Sequence, residues 1–388
     1  MSYRLIQDRE ALAEASRELG SVTRLALDCE AAGFHRFNDR LCLVQLSTQR
    51  ETLLLDPFSV ELAGFLRPLL EDPEIQVVMH GADFDIRLLD RDLGLRLRGL
   101  FDTQAAAALL GESALGLASL LNEHLGVELE KKHQRADWAQ RPLPENLLEY
   151  AAEDTRHLLE LGSLLETRLR EKDRYDWARE EFHVLEAIRW EEDKTDPVTR
   201  VKGARDLSPR EVTSLRTAME WRDEIARERD RAPFRVVGDK VLLDVVLGRP
   251  TTTEELADTK GVSPRLARER GRELLDRLES VGSLPASDLE PYPPPSPGGP
   301  GRPTPEEEEL AGKIRDLRTD RSRDLGLDRG VVLSNAQIME IVRADPDTLP
   351  ELEALPGMKA WQAGLLGTEI LEILDGSEGE KAGEGARK

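Results

Sequence analysis

The first third of the chain carries short apolar runs separated by polar breaks at strand-like spacing. Arg24–Glu30 (RLALDCE), Leu41–Ser47 (LCLVQLS) and Thr52–Leu55 (TLLL) are close enough to pair as hairpins, and Gln76–His80 (QVVMH) is a further apolar strand. From Ala82 the apolar period becomes helical. After Asp102 it stays helical almost throughout, apart from a proline-containing break at Arg141–Pro144. Pro144 suits the first turn of one long helix carrying Leu147, Leu148, Ala151, Leu158, Leu159 and Leu165. Strands first and helices after, with one βα crossing, predict an α/β domain in which a mixed β-sheet is covered by helices.

The rest of the chain is helical and repeats itself. Pro250, Leu256 and Gly261 recur as Pro346, Leu352 and Gly357, at an offset of 96 positions. Under the same offset Leu242, Leu243, Val245 and Val246 meet Ile338, Met339, Ile341 and Val342, and Leu274, Leu275 and Leu278 meet Ile370, Leu371 and Leu374. That predicts two copies of one small all-α domain. The expected divisions are 1–194, 204–282, a Pro/Gly-rich linker over 283–304, 305–375, and a tail over 376–388 with too few apolar residues to fold.

Composition narrows the function. The 388 residues carry a formal charge of −22, whereas tight binding to duplex DNA draws on phosphate neutralisation by basic residues. The acidity sits in the first 200 residues and after Pro300, leaving 201–280 near neutral. Acidity gathered in one domain suits a carboxylate-rich site that demands cations. No apolar run approaches the roughly 18–20 residues that span a bilayer, and the charged N-terminus is unlike a signal peptide. Two cysteines, Cys29 and Cys42, make neither a disulfide framework nor a zinc-ligand pair. A cytoplasmic protein without membrane association is expected.

Three acidic segments carry the candidate chemistry. Asp28 and Glu30 stand two apart on a strand, so their carboxylates project to one side and repel unless a cation lies between them. Asp85 falls in the first turn of the helix after the QVVMH strand, with Asp83 as a competitor nearer the helix start. Tyr150 and Asp154 are one helical turn apart, on one face, with Glu153 turned to solvent. Taken one at a time, each has an ordinary structural reading. Asp102 before TQAAAALL reads as a helix N-cap.

In this order the segments resemble the DEDD exonuclease superfamily, its tyrosine branch, and within it the ribonuclease D family. The motifs are LALDCEAAGFHRFNDRLCLVQLS, VMHGADFDIRLL and LLEYAAEDTRHLLEL, and FDTQAAAALLG and DWAQRPLPENLLEYAAEDT between them fit the same family. The two helical repeats resemble the helicase-and-RNase-D C-terminal (HRDC) domain. The resemblance implies a ribonuclease H-like exonuclease fold and a 3′→5′ exoribonuclease that releases nucleoside 5′-monophosphates. It further implies two divalent ions, Mg²⁺ or Mn²⁺, on Asp28, Glu30, Asp85 and Asp154, with Asp28 shared between them and Tyr150 orienting the attacking water. Its implied partner is the single-stranded 3′ end of RNA, such as transfer-RNA precursors. Cys29 replaces the family's usual Thr or Ser and is expected to point away from the metals. His80, Trp138 and Arg141 are candidate RNA contacts, each with a structural alternative, as are Lys131 and Lys132 for phosphate. A DNA 3′→5′ exonuclease or a catalytically silent RNA-binding scaffold are the competing functions.

Overall fold

A computed structural model describes residues 3–129, 132–294 and 301–385. Its first domain is a six-stranded mixed sheet built from β1 (Tyr3–Ile6), β2 (Arg24–Ala31), β3 (Leu41–Ser47), β4 (Thr52–Leu55), β5 (Gln76–Met79) and β6 (Leu100–Asp102). The order is β1-β4-β3-β2-β5-β6. The β2–β3 and β3–β4 pairs are antiparallel, and β1–β4, β2–β5 and β5–β6 are parallel. β2 is therefore central, with both faces covered, which is why its apolar positions do not simply alternate with polar ones. The edge strands β1 and β6 are additions to the elements expected from the pattern.

The helices of this domain are α1 (Arg9–Glu18), α2 (Ala63–Leu70), α3 (Asp83–Leu93), α4 (Thr103–Leu110), α5 (Leu117–Leu125), α6 (Glu145–Arg156), α7 (Leu158–Glu171) and α8 (Tyr175–Glu186). The single long helix expected after Pro144 is two. At His157 the backbone reaches φ −105°, ψ 0° and the helix breaks. The break lets α6 lie against β3 and β4 while α7 packs on α4 and β5. One straight rod could not follow the twist of the sheet across both surfaces.

The repeats correspond element by element. α9 (Pro209–Glu228), α10 (Pro233–Val236), α11 (Asp239–Gly248), α12 (Thr253–Asp258) and α13 (Pro264–Gly282) form the first small domain. α14 (Pro305–Leu325), α15 (Arg329–Val332), α16 (Asn335–Ala344), α17 (Leu349–Glu353) and α18 (Ala360–Gly385) form the second, each starting 96 positions after its counterpart. α9 and α14 both start with Pro behind a capping box, from Ser208 and from Thr304. Each repeat has its own apolar core, around Leu215, Trp221 and Leu242 in one and Ile314, Ile338 and Leu366 in the other. The stretch expected as a tail, 376–388, starts inside the last helix, whose bounds reach Gly385. None of the described helices is long and apolar enough to cross a membrane.

Both repeats dock on the sheet domain. The loop before α10 meets the turn after β2, where the Ala232 N–H donates to the His35 carbonyl at 3.0 Å. Trp361 of α18 stacks on Trp177 of α8, with centroids 4.8 Å apart and planes 17° apart.

Candidate active site

The site lies at the C-terminal end of β2, where helices from both faces of the sheet reach the strand end. A cleft of about 430 Å³ there is lined by Asp28, Cys29, Glu30, His80, Tyr150 and Asp154, and by the start of α5 over Gly116–Ser119. The antiparallel register with β3 shifts between Glu30 and Ala31, so the strand turns away just past the second acid. Asp85 arrives from the first turn of α3. That helix is aimed by Asp102, whose carboxylate accepts from the Ala82 N–H at 2.7 Å while capping α4 through Gln104 and Ala105. The expected N-cap role of Asp102 thus extends to two helices at once.

α6 brings Tyr150 and Asp154. A buried hydroxyl chain fixes its height over the sheet: Thr155 Oγ1 to Ser47 Oγ is 2.7 Å, and Ser47 Oγ to Thr52 Oγ1 is 2.7 Å. Trp138 and His133 pack on the Tyr150 ring, with centroids 6.1 and 5.6 Å away. Glu153 pairs with Arg156 on the outer side, away from the cluster.

Electrostatically the cluster is under strain. Burial is the leading cause of every shift, and repulsion from neighbouring carboxylates adds to it at Glu30, Asp85 and Asp154. Asp28 is pushed up to about 6 by burial, partly offset by the Cys29 backbone N–H. Asp154 is pushed up to about 8 by burial and by Asp28. Glu30 and Asp85 lie well above the usual carboxylate range for the same reasons, burial first and Asp28 next. Burial and the neighbouring carboxylates also hold the Tyr150 phenol protonated far beyond neutral pH. Among the described residues no Lys, Arg or His pairs with any of the four acids. Oxygen donors that are crowded, buried and without a cationic partner fit hard divalent cations such as Mg²⁺ or Mn²⁺. A second acidic group, Glu112, Glu123 and His124, is of another kind, because Arg168 already holds Glu112 at 2.8 Å.

The five residues expected to act together, Asp28, Glu30, Asp85, Tyr150 and Asp154, are in one place. Asp85 is 6 % exposed and faces Asp28, whereas Asp83 points outward to Arg87 at 3.0 Å. His80 lines the cleft and its ring meets the Thr103 hydroxyl at 2.9 Å, with burial pushing its pKa down.

Three expectations need correction. Cys29 does not point away from the cluster; its thiol faces Asp85, and burial with that carboxylate pushes it well up. Trp138 offers no face to a base, being 1 % exposed among Leu43, Leu54, Leu143 and Leu147. Arg141 is fully engaged inside the protein: it holds Asp56 at 2.8 and 2.9 Å and donates to the Cys42, Trp138 and Gln140 carbonyls. Lys131 lies outside the described residues.

One feature was missed. Gln45 pairs with Asp28 across the β2–β3 ladder, is fully buried, and has no hydrogen-bond partner for either amide atom among the described residues. The signal was present in LCLVQLS, where a Gln interrupts an otherwise apolar buried run.

Comparison with known proteins adds the lineage. A 3′-5′ exonuclease family matches residues 3–170, and the HRDC domain matches 214–278 and 307–374. Ribonuclease D of Pseudomonas paraeruginosa is 31 % identical over 377 residues, covering 95 % of this chain and 97 % of its own. Ribonuclease D of Escherichia coli is 28 % identical over 381 residues, covering 96 % and 99 %. The crystal structure of Escherichia coli RNase D, an exoribonuclease involved in structured RNA processing, aligns with a TM-score of 0.69 at 27 % identity, over 97 % of this chain and 99 % of that one. Likeness along both full lengths, through the sheet domain and both helical repeats, assigns the chain to the ribonuclease D family, as a 3′→5′ exoribonuclease that uses divalent metal.

Proposed function

We propose that the enzyme trims the single-stranded 3′ ends of transfer-RNA precursors and other structured RNAs in the cytoplasm, one nucleotide at a time, at the Asp28 cleft. The observation that carries the catalytic assignment is the gathering of four buried carboxylates that no cationic side chain among the described residues neutralises. Asp28, Glu30, Asp85 and Asp154 would hold two ions, Mg²⁺ or Mn²⁺. When bound, such ions supply positive charge to the attacking and leaving oxygens of an in-line displacement.

The protein's own groups do the rest. A phenol held protonated at neutral pH is no general base, so Tyr150 orients the attacking water through its hydroxyl. Cys29 contributes its backbone N–H, which favours the charged forms of Asp28 and Asp85. Water attacks the terminal phosphodiester, the bond to the penultimate 3′-oxygen breaks, and a nucleoside 5′-monophosphate leaves. Transfer-RNA precursors are proposed on kinship with ribonuclease D and on the structured RNA named for the Escherichia coli protein.

The test uses 5′-labelled RNA, including a transfer-RNA precursor with a 3′ extension, beside DNA of the same sequence. Stepwise shortening of RNA with Mg²⁺ or Mn²⁺, release of 5′-monophosphates and arrest by EDTA are expected. Internal fragments or full activity in chelator would overturn the mechanism. Preference for DNA would favour the DNA-exonuclease alternative.

A further inference from the structure

The seam between the sheet domain and the first HRDC domain carries an aromatic and arginine cluster that the catalytic cleft does not use. It is built by the turn after β2 and the loop before α10. Phe34 and Phe234 meet there across the domain boundary, with centroids 5.5 Å apart and planes 54° apart. Both stay open to solvent, at 37 % and 52 %. Arg235 lies 4.7 Å from the Phe34 centroid and 5.8 Å from that of Phe234, and Arg135 lies 5.4 Å from the Phe34 centroid. Next to them opens a cavity of about 550 Å³ lined by Arg229, Arg231, Arg235 and Arg265.

The seam is fixed in place. Besides the Ala232–His35 backbone bond, Arg235 Nε donates to the Phe34 carbonyl at 2.8 Å, and Arg36 reaches Asp230 at 3.4 Å. The rings are therefore held exposed by structure rather than left over at a loose edge.

Its charge is unusual for this chain. With a net charge of −22, most arginines near acids are paired, as Arg229 and Arg265 are by Glu269 and Arg36 by Asp137. Arg135, Arg231 and Arg235 have no carboxylate within 4.0 Å among the described residues. Exposed rings and unneutralised guanidinium groups side by side suit a ligand with both flat apolar faces and regular negative charge. Single-stranded nucleic acid has both, since its unpaired bases stack on aromatic and guanidinium planes while its phosphates pair with arginine. A duplex hides its base faces, and an acidic peptide lacks them.

The seam is also near the carboxylates. Phe34 follows Glu30 by four residues, so their Cα atoms are at most about 14 Å apart. We infer that the Phe34–Phe234 pair with Arg135, Arg231 and Arg235 is a seat for the single-stranded RNA just upstream of the 3′-terminal nucleotide, shared between the sheet domain and the first HRDC domain. This rests on the exoribonuclease reading of the cleft. Bases stack on the rings and Arg235, while Arg231 and Arg135 take phosphates. A strand seated there is gripped by both domains, so longer tails are held better than very short ones.

Binding and cleavage are read separately. In chelator, fluorescence anisotropy with the full chain measures the affinity for labelled single-stranded RNA of about twelve nucleotides. Phe234→Ala is expected to raise Kd about ten-fold, the size of one lost base stack, and Phe234→Tyr to bring it back towards the wild-type value. Arg231→Gln should weaken binding and reduce the salt dependence by roughly one phosphate contact. Wild-type Kd in both Phe234→Ala and Arg231→Gln would overturn the seat. So would a Phe234→Tyr loss equal to that of Phe234→Ala, or displacement of RNA by polyglutamate irrespective of Phe234. Restoring Mg²⁺ then tests the other reading alone: a wild-type chain that binds this RNA through Phe234 but never shortens it would refute the nuclease and leave the seat standing.

Discussion

Tyr150 stands one turn before Asp154 on α6 and turns its hydroxyl to that carboxylate, with Trp138 against its ring. The phenol favours the charged form of Asp154, and Asp154 in turn helps to keep the phenol protonated, after burial. Tyr150→Phe keeps the packed ring and removes only the hydroxyl. Turnover should fall by roughly 10- to 1,000-fold, equivalent to ~1.4–4 kcal/mol of barrier, because water orientation is lost. The KM for RNA and the affinity for Mn²⁺ should barely move, since no proposed ligand is touched. Steady-state kinetics beside calorimetric Mn²⁺ titration check this; a loss confined to KM would make Tyr150 a substrate-holding group instead.

Metal, pH and stability are linked through the same cluster. Asp28 titrates at about 6 and Asp154 at about 8, both above their ordinary values, chiefly because burial disfavours the charge. A carboxyl raised on folding contributes its stability below the unfolded value near 3.9, and that contribution is lost as pH climbs through the folded one. Metal-free protein should therefore lose stability between about pH 4 and pH 8. Mg²⁺ should raise Tm more at pH 8 than at pH 6, because at lower pH it competes with protons. Asp28→Asn removes one buried charge, so its metal-free Tm at pH 8 should equal or exceed that of the wild type. Its response to Mg²⁺ should shrink and its activity fall by more than about a thousand-fold, over ~4 kcal/mol of barrier. Scanning calorimetry at the two pH values, with and without Mg²⁺, reads all three effects. An undiminished Mg²⁺ response in the variant would remove Asp28 from the ligand set.

Arg141 yields a stability prediction in place of the RNA contact expected from sequence. Asp56 is completely buried, and burial alone would raise its pKa; Arg141, Gln7 and the Phe58 N–H together hold it below the usual value. A depressed carboxyl contributes stability above its unfolded pKa and loses it as pH falls through the folded one. Arg141→Met strands that charge, at a cost of about 3 kcal/mol at neutral pH. The deficit should narrow as pH approaches 4, because in the variant burial is no longer offset by Arg141 and Asp56 protonates there. Urea unfolding at several pH values checks both size and slope. A deficit that is constant with pH would mean that the lost contacts to the Cys42 and Trp138 carbonyls dominate.

The parts of the molecule that could be read from sequence are those set by local pattern. β2, β3, β4 and β5 follow from apolar runs between polar breaks, and the helical repeat follows from one constant offset that carries ten apolar and turn positions. The acids were legible because strand and helix periods dictate which of them share a face: 28 with 30, and 150 with 154. β1 and β6 were not, because four and three residues at a sheet edge hold too few turns of the pattern to stand out. For Trp138 and Arg141 the structural alternative holds, and sequence could not choose it over the RNA contact for a different reason. An aromatic beside an arginine looks the same in sequence whether it faces RNA or a buried Asp56, and that partner lies 85 residues away. The orientation of Cys29 likewise depends on where α3 places Asp85 relative to the strand end, which no feature within DCE determines.

The second HRDC domain should be held to the sheet domain chiefly by Trp361. Its indole is 5 % exposed, stacks on Trp177 and donates to Glu181 at 3.2 Å. Lys359 adds an ion pair to the same Glu181 at 2.7 Å, and Arg174 donates to the Leu325 carbonyl at 2.7 Å. Val331 and Leu365 also pack against the core of the sheet domain, but they are smaller than the stacked indoles, and a single partly buried ion pair adds little on its own. Trp361→Ala removes the stack, and truncating a buried aromatic costs about 3 kcal/mol. The loss should fall on docking rather than on either core, since Ile314, Ile338 and Leu366 still close the small domain without Trp361. Calorimetry should then resolve a separate, earlier transition for the second repeat, and proteases should cut faster near the Pro/Gly-rich linker. Mn²⁺ affinity should stay at the wild-type value, because Trp361 lines no part of the Asp28 cleft. A single cooperative transition at the wild-type Tm would show that Arg174 and Lys359 suffice to hold the domain in place.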